Sequence, residues 1–223
     1  MSLLPEASLF LGIIPALIFL YISLKGYEGN YKDKTVFLTF VIGIILGFIS
    51  AVVRSQFLPL VFVAIVLLAF FEQLFKTIVL NIGRFQLKKE TVIYGLSLGL
   101  GFGSVFTPFL IISSNASIQN DIYAASLVGL GSIGIILFHG ATGAYIGHGI
   151  YAGKMLKYLL IAIIIQLPFN AIVDSTRFYP NEYFQYLQLG LIIYGGILFW
   201  YVNKKIMPQT LSQSKRRKRS KTS

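Results

Sequence analysis

Seven long apolar segments dominate this 223-residue chain and limit the folds open to it. An α-helix needs about 20 apolar residues to cross a bilayer. Only 12% of the residues are charged, about half the fraction that is usual in soluble proteins. The segments are residues 8–24, 35–53, 57–82, 91–114, 122–151, 156–173 and 184–202. We therefore predict an all-α polytopic membrane protein with about seven transmembrane helices, and counts of six or eight stay open.

Little chain remains outside these segments, so there is no room for a folded soluble domain. We predict a single transmembrane helical bundle over residues 1–203, followed by a basic, disordered cytoplasmic tail over residues 204–223. The chain contains no cysteine, which excludes disulfides, cysteine-based zinc sites and thiol nucleophiles. A bound metal would have to use histidine, carboxylate and water.

The basic residues are distributed unevenly along the chain. The loops after the first, third and fifth apolar segments and the C-terminal tail hold all 19 Lys and Arg residues except Arg54, Lys76 and Arg177. Cytoplasmic loops carry the excess of positive charge in membrane proteins. We therefore expect a multi-pass protein of the cell membrane with its N-terminus outside and its C-terminus in the cytoplasm. The tail should also attract anionic lipid, whereas nucleic-acid binding is not expected.

Glu72, Lys76 and His139 are ionisable residues deep inside the apolar segments, where a charge is costly and usually functional. Glu72 and Lys76 are four residues apart on one helical face, close enough to pair. Each helical residue advances about 1.5 Å along the helix axis. Counted from the outer ends of their segments, Glu72 and His139 therefore lie at similar depth in the membrane. These residues indicate a polar site inside the bundle, and their similar depth allows Glu72 and His139 to converge on it without showing that they touch. A structural Glu72–Lys76 pair, a Lys76 side chain that reaches the interface, and a histidine bonded to a backbone carbonyl remain alternatives.

Small residues and an amide accompany these groups in neighbouring segments. Gly95, Gly99 and Gly103 repeat every four residues, a pattern that is typical of tightly packed membrane helices. Pro168 removes a backbone donor from the sixth segment. Asn170 follows it, and an asparagine in a membrane segment more often joins helices than takes part in chemistry.

The polar motifs resemble those of a known family, the PrsW-type intramembrane proteases, which are related to the CAAX prenyl proteases and the Abi proteins. The family motif Glu-Glu-x-x-Lys is similar to EQLFK at 72–76. The family's next, glycine-rich span resembles residues 94–103. Its third motif, with a histidine, resembles FHGATGAYIG at 138–147, and its fourth lies in the place of QLPFNAIVD at 166–174. The resemblance covers residues 60–175 and depends more on order and spacing than on identity.

The resemblance implies hydrolysis of a peptide bond within the membrane, on a membrane protein or peptide. It implies catalytic roles for Glu72 and His139 and supporting roles for Gln73, Lys76 and Asn170. Glu72 would activate water as a base, and His139 would be a metal ligand or would polarise the substrate. Gln73 and Asn170 would bind the substrate carbonyl. A zinc cofactor and no cofactor are equally compatible with this interpretation.

The chain also departs from the family pattern. Gln73 replaces the second glutamate, no acid follows the glycine-rich segment, and no histidine occurs near Leu167. One histidine and one glutamate do not complete a catalytic zinc site. Our first hypothesis is therefore a PrsW-like protease with a reduced site. The second is a degenerate, non-catalytic relative that acts as a membrane scaffold. The third is a transporter or channel with a Glu/Lys/His relay, although the chain lacks a convincing internal repeat.

Overall fold

The computed structural model describes residues 4–56, 61–113, 122–178 and 186–211. All regular elements in these ranges are helical, which confirms the all-α prediction. The α-helices are α1 (Leu4–Leu24), α2 (Asp33–Gln56), α3 (Val61–Leu80), α4 (Thr91–Gly103), α5 (Phe106–Ser113), α6 (Ile122–Tyr151), α7 (Met155–Phe178) and α8 (Leu187–Tyr201).

Four helical stretches of the described chain are long and apolar enough to cross a membrane, and α1 contains a further apolar stretch, Gly12–Leu24. The four stretches are Asp33–Gln56, Thr91–Phe109, Val128–Tyr151 and Met155–Ser175. The protein therefore has the helices of a multi-pass membrane protein. The total of seven spans and the orientation of the termini stay predictions.

The fourth apolar segment forms two helices instead of one, with a turn between Gly103 and Phe106. Pro108 explains the break, because proline lacks a backbone N–H and its ring clashes with the carbonyl four residues earlier. That carbonyl belongs to Ser104. Gly12 of α1 packs directly against the Ser104 carbonyl oxygen, and a Cβ at this glycine would collide with it. The freed carbonyl is thus covered by a neighbouring helix.

Helix α4 is the centre of the bundle. Each of its residues is buried, and it packs most extensively against α6 and α2. The stretch Thr91–Phe109 is 94% buried, whereas Asp33–Gln56 is only 39% buried. The two most buried spans are also the two least apolar of the four. Their side chains face protein, so they do not have to be apolar enough to contact lipid.

Glycines bring the backbones of α4 and α6 into direct contact. A Cβ at Gly99 would collide with the carbonyl oxygen of His139, and a Cβ at Gly95 would collide with that of Gly143. Helices in membranes approach this closely when small residues repeat along the interface. The predicted packing role of these glycines is therefore confirmed, and the contact fixes the position of His139 relative to α4.

Helical structure continues beyond α8. A π-helical turn covers Val202–Ile206, and a 3-10 turn covers Met207–Thr210. Ile206 and Met207 are buried against the bundle. Residues 204–211, which the sequence assigned to the tail, thus pack on the helices. The rest of the basic tail, residues 212–223, lies outside the described residues.

Candidate active site

Glu72 lies near the middle of α3 and is fully buried. Its Oε1 accepts hydrogen bonds from Ser50 Oγ at 2.8 Å and from Arg54 Nη2 at 3.2 Å. Its Oε2 accepts a hydrogen bond from Gln166 Nε2. A buried carboxylate is tolerated when opposite charge and hydrogen-bond donors surround it. Both oxygens of Glu72 meet this condition.

Arg54 provides the positive charge beside Glu72 and joins three helices. Its Nη1 donates to Asp174 Oδ1 at 2.7 Å, and its Nη2 also donates to Asn170 Oδ1 at 2.9 Å. Only 4% of Arg54 is exposed. The sequence places Arg54 just after the second apolar segment, on the side opposite the basic loops, whereas in the structure α2 continues to Gln56 and carries Arg54. Arg54 faces the interior one turn after Ser50.

Helix α7 presents three polar side chains at a spacing of four residues. Gln166, Asn170 and Asp174 are each exposed by no more than 2%. Residues four apart share one face of a helix, so all three point towards α2 and α3. Asn170 Nδ2 donates to the backbone carbonyl of Ile65 on α3 at 3.2 Å. The face formed by the three residues holds α7 against the helix that carries Glu72.

Lys76 lies one turn after Glu72 and is fully buried. Its Nζ is 2.9 Å from His139 Nδ1 and donates to Thr142 Oγ1 at 2.9 Å and to Gln73 Oε1 at 3.4 Å. The alternative of a structural Glu72–Lys76 pair is wrong, because Arg54 pairs with Glu72 instead. The alternative in which Lys76 reaches the membrane interface is also wrong, because no part of the side chain is exposed.

His139 lies in an aromatic enclosure beside Glu72. Its ring centroid is 4.7 Å from that of Phe102 and 5.4 Å from that of Phe106, with Phe138 and Phe169 completing the surroundings. His139 Nε2 is 4.0 Å from Glu72 Oε2. Two polar atoms at this separation can share one bridging water. Similar depth in the membrane left the contact of Glu72 with His139 open, and the structure brings the two side chains together.

Gln73 and Asn170 belong to the same polar network, although their polar atoms already have hydrogen-bond partners in the protein. Gln73 Nε2 donates to Gln166 Oε1, and Gln73 Oε1 accepts from Lys76. The amide of Asn170 bridges Arg54 and Ile65. A substrate carbonyl could reach either amide only by replacing one of these partners. Their predicted role in substrate binding stays a prediction.

The sequence does not single out Ser50, Arg54 or Thr142 as members of this network. The sequence does carry a signal for them, which is the spacing of polar residues within or next to the apolar segments. Ser50 and Arg54 are four residues apart, and His139 and Thr142 are three residues apart. Such spacing places each pair on one helical face.

The side chains around Glu72 and His139 do not provide the ligands of a catalytic zinc ion. Catalytic zinc uses three protein ligands in most enzymes, and the described part of the chain has no cluster of three His, Asp or Glu side chains. His139 Nδ1 is in contact with Lys76 Nζ, and Arg54 neutralises Glu72. Arg54 also pairs with Asp174, the second carboxylate of the network, so two cations already neutralise this set of side chains and disfavour a third. No step of the chemistry below uses a metal.

Comparison with known proteins identifies one informative relative. The chain is 24% identical over 211 residues to Protease PrsW of Halalkalibacterium halodurans, an alignment that covers 87% of this chain and 93% of the relative. No family model matches the chain, and no solved structure matches it. The chain is therefore a distant relative of Protease PrsW, and the resemblance to the PrsW family that its motifs indicate is confirmed.

Proposed function

We propose that this protein is a PrsW-type intramembrane protease that hydrolyses a peptide bond in a membrane-embedded segment. The observation that carries the proposal is the meeting of Glu72 Oε2 and His139 Nε2, 4.0 Å apart in a buried site. A carboxylate and an imidazole at this separation can act on one water molecule and one carbonyl. The relationship to Protease PrsW extends over most of both chains and includes both residues' segments.

In the proposed reaction, Glu72 is the general base. The oxygen of a bound water attacks the carbonyl carbon while one of its protons passes to Glu72 Oε2. His139 polarises the carbonyl oxygen, which gains negative charge as the tetrahedral intermediate forms. The C–N bond then breaks, and the leaving nitrogen takes the proton from Glu72. The carboxylate is thereby restored, and no oxidant, reductant or metal is consumed.

An apolar cleft beside the network is a suitable approach for such a substrate. It has a volume of about 130 Å³ and lies between α6, α7 and α8. Its lining is mainly apolar and includes Thr142, which also contacts Lys76. An apolar segment entering from the lipid would therefore meet the polar network at Thr142.

The membrane setting of the proposal follows from the charge pattern. We place the protein in the cell membrane, with its N-terminus outside and the basic tail on the cytoplasmic side, where Lys and Arg are enriched. The tail would then attract anionic lipid. The partner at the site would be a membrane protein or peptide.

A second candidate function is that of a non-catalytic relative that binds membrane partners. One observation favours it: both oxygens of Glu72 already accept protein hydrogen bonds, one of them from Arg54. A carboxylate whose oxygens both accept protein hydrogen bonds has to give up one of these partners before it can take a proton from water. In this alternative, the network would hold the helices together and would not act on water.

The experiment that separates the two candidates is Glu72→Gln, which keeps the shape of the side chain and removes the base. Membranes from cells that make the wild type, the variant or the control Glu90→Gln are compared by mass spectrometry of new protein N-termini. Glu90 lies at the start of α4, outside the network. A protease gives termini inside apolar segments for the wild type and control. General-base catalysis is typically worth 10²–10⁴-fold, so these termini should fall at least about hundredfold in Glu72→Gln.

The same termini at unchanged abundance in a folded Glu72→Gln protein would overturn the protease proposal. Folding of each variant is checked by thermal unfolding in detergent, so that loss of cleavage is not confused with loss of the protein. A wild-type protein that generates no new termini would favour the partner-binding alternative.

A further inference from the structure

The ammonium of Lys76 has three polar neighbours. They are His139 Nδ1, Thr142 Oγ1 and Gln73 Oε1. A lysine ammonium has three N–H donors and no acceptor. The three polar neighbours of Lys76 Nζ therefore equal its three N–H donors in number. The ring of Phe102 lies 4.9 Å from Nζ, which adds a favourable contact for a cation.

The orientation of the Gln73 amide follows from the carboxylate of Glu72. A carboxylate paired with Arg54 can only accept hydrogen bonds, so Gln166 must direct its NH₂ group at Glu72. Gln166 Oε1 then faces Gln73 and must receive the Gln73 NH₂ group. The remaining atom, Gln73 Oε1, faces Lys76 and accepts. A chain of hydrogen bonds, in which each side chain donates to the next, thus runs from Lys76 through Gln73 and Gln166 to Glu72.

The hydroxyl of Thr142 is an acceptor for the same kind of reason. Thr142 Oγ1 donates its single proton to the backbone carbonyl oxygen of His139 at 3.2 Å. Its oxygen lone pairs are left for Lys76 Nζ. Gln73 Oε1 and Thr142 Oγ1 are therefore hydrogen-bond acceptors, and this conclusion does not depend on the tautomer of His139. The third N–H of the ammonium points at His139 Nδ1.

We propose that Lys76 is a positioning residue that fixes His139 as the neutral tautomer with its proton on Nε2. Nδ1 must accept from the ammonium, so it carries the lone pair, and Nε2 carries the N–H. This N–H faces the side of the ring on which Glu72 Oε2 lies, 4.0 Å away. The ring also lies among Phe102, Phe106 and Phe138, an apolar setting that suits a neutral imidazole.

This assignment gives His139 a defined role, and in that respect it rests on the proposed function. An imidazole with a proton on Nε2 can donate a hydrogen bond to a carbonyl oxygen but cannot accept a proton there. Glu72 is then the base of the reaction and His139 the donor to the developing oxyanion. Neither ring nitrogen offers a free lone pair to a metal ion, because Nδ1 is occupied by Lys76 and Nε2 is protonated.

The test is the ¹⁵N NMR spectrum of the full-length protein in detergent, labelled only at histidine. The chain has two histidines, and a His148→Gln variant identifies the signals of His139. Protonated and unprotonated ring nitrogens have well-separated ¹⁵N shifts. The expected spectrum shows one protonated nitrogen at Nε2 and one unprotonated nitrogen at Nδ1. A proton on Nδ1, or on both nitrogens, would overturn the proposal.

A second measurement asks whether Lys76 causes the tautomer. Lys76→Met removes the donor and retains an apolar stem, so part of the His139 population should move to the Nδ1–H form. The control Lys89→Met lies at an exposed position and should leave the spectrum unchanged. An Nε2–H signal of unchanged intensity in a folded Lys76→Met protein would show that Lys76 is not the cause.

The two proposals fail separately. The tautomer is measured without substrate, so it can be confirmed in a protein that never cleaves a peptide. Conversely, an Nδ1–H tautomer in a protein whose cleavage depends on Glu72 would leave the protease proposal intact and remove the assigned role of Lys76.

Discussion

Arg54 and Asp174 are 120 positions apart in the sequence, and Arg54 Nη1 donates to Asp174 Oδ1 across 2.7 Å. The same guanidinium reaches Glu72 at 3.2 Å. With Lys76 nearby, the buried network contains two cations and two carboxylates, and its formal charge is zero. A balanced set of this kind is far less costly to bury than any one of its members alone.

Removal of Arg54 should strongly destabilise the fold. Arg54→Met leaves Glu72 and Asp174 as buried carboxylates with only Lys76 nearby, and breaking a buried pair in this way costs about 3–5 kcal/mol. Thermal and denaturant unfolding in detergent would measure the loss. The control is Arg84→Met, at an exposed position, which should change stability by less than about 0.5 kcal/mol. Equal stability of the two variants would show that the Arg54 network does not hold α2 against α7.

A methyl group at Gly99 should separate α4 from α6. The new Cβ would collide with the His139 carbonyl oxygen, and overpacking of this kind costs about 1–3 kcal/mol. The matched control is Gly196→Ala in α8, where a Cβ meets nothing within 4 Å and the better helix propensity of alanine should be neutral or slightly stabilising. Unfolding in detergent gives both values. A Gly99→Ala protein as stable as Gly196→Ala would contradict the close contact.

Asn170 should matter for both stability and cleavage. Asn170→Ala removes an acceptor from Arg54 and a donor from the Ile65 carbonyl, a loss of about 1–3 kcal/mol. If its amide also binds the oxyanion, cleavage should fall by roughly 10²–10³-fold. Asn203→Ala is a suitable control, because Asn203 also donates to a backbone carbonyl, that of Phe199. A folded Asn170→Ala protein with wild-type cleavage would remove Asn170 from the mechanism.

Metal analysis of the purified protein should find far less than one zinc per chain. The physical reason is the contact of His139 Nδ1 with Lys76 and of Glu72 with Arg54. Treatment with a chelator should leave the unfolding temperature unchanged, since bound metal stabilises the folded state by mass action. About one zinc per chain that disappears in a His139→Ala variant would contradict this expectation and the tautomer assigned to His139.

The sequence was sufficient to predict helices, their approximate limits and the similar depth of Glu72 and His139. Each of those depends on a property of one segment, either its length or the depth of a residue along it. The partner of Glu72 could not be obtained in that way. Lys76 and Arg54 were both available, and the choice depends on how α2 is rotated against α3. A guanidinium can also donate directional hydrogen bonds to two carboxylates at once. An ammonium is a point charge and provides this geometry less well.

The network on α7 illustrates the same limit. Gln166, Asn170 and Asp174 repeat every four residues, so a common face could be predicted from the sequence. The direction of that face could not, because α7 has exposed apolar residues on its other sides and nothing in one helix identifies its neighbour. Only the packing of α3 against α7 joins the two polar faces.

The enclosure of α4 also has a consequence for how the protein is assembled during synthesis. A helix with all of its residues covered by protein has no surface that has been selected for contact with acyl chains. Its glycines would make it a weak span if it entered the bilayer alone. Insertion of α4 is therefore expected to depend on α2, which leaves the ribosome before it, and to be completed only when α6 arrives. Truncated chains that end before α6 should leave this helix accessible to labelling reagents from the aqueous side.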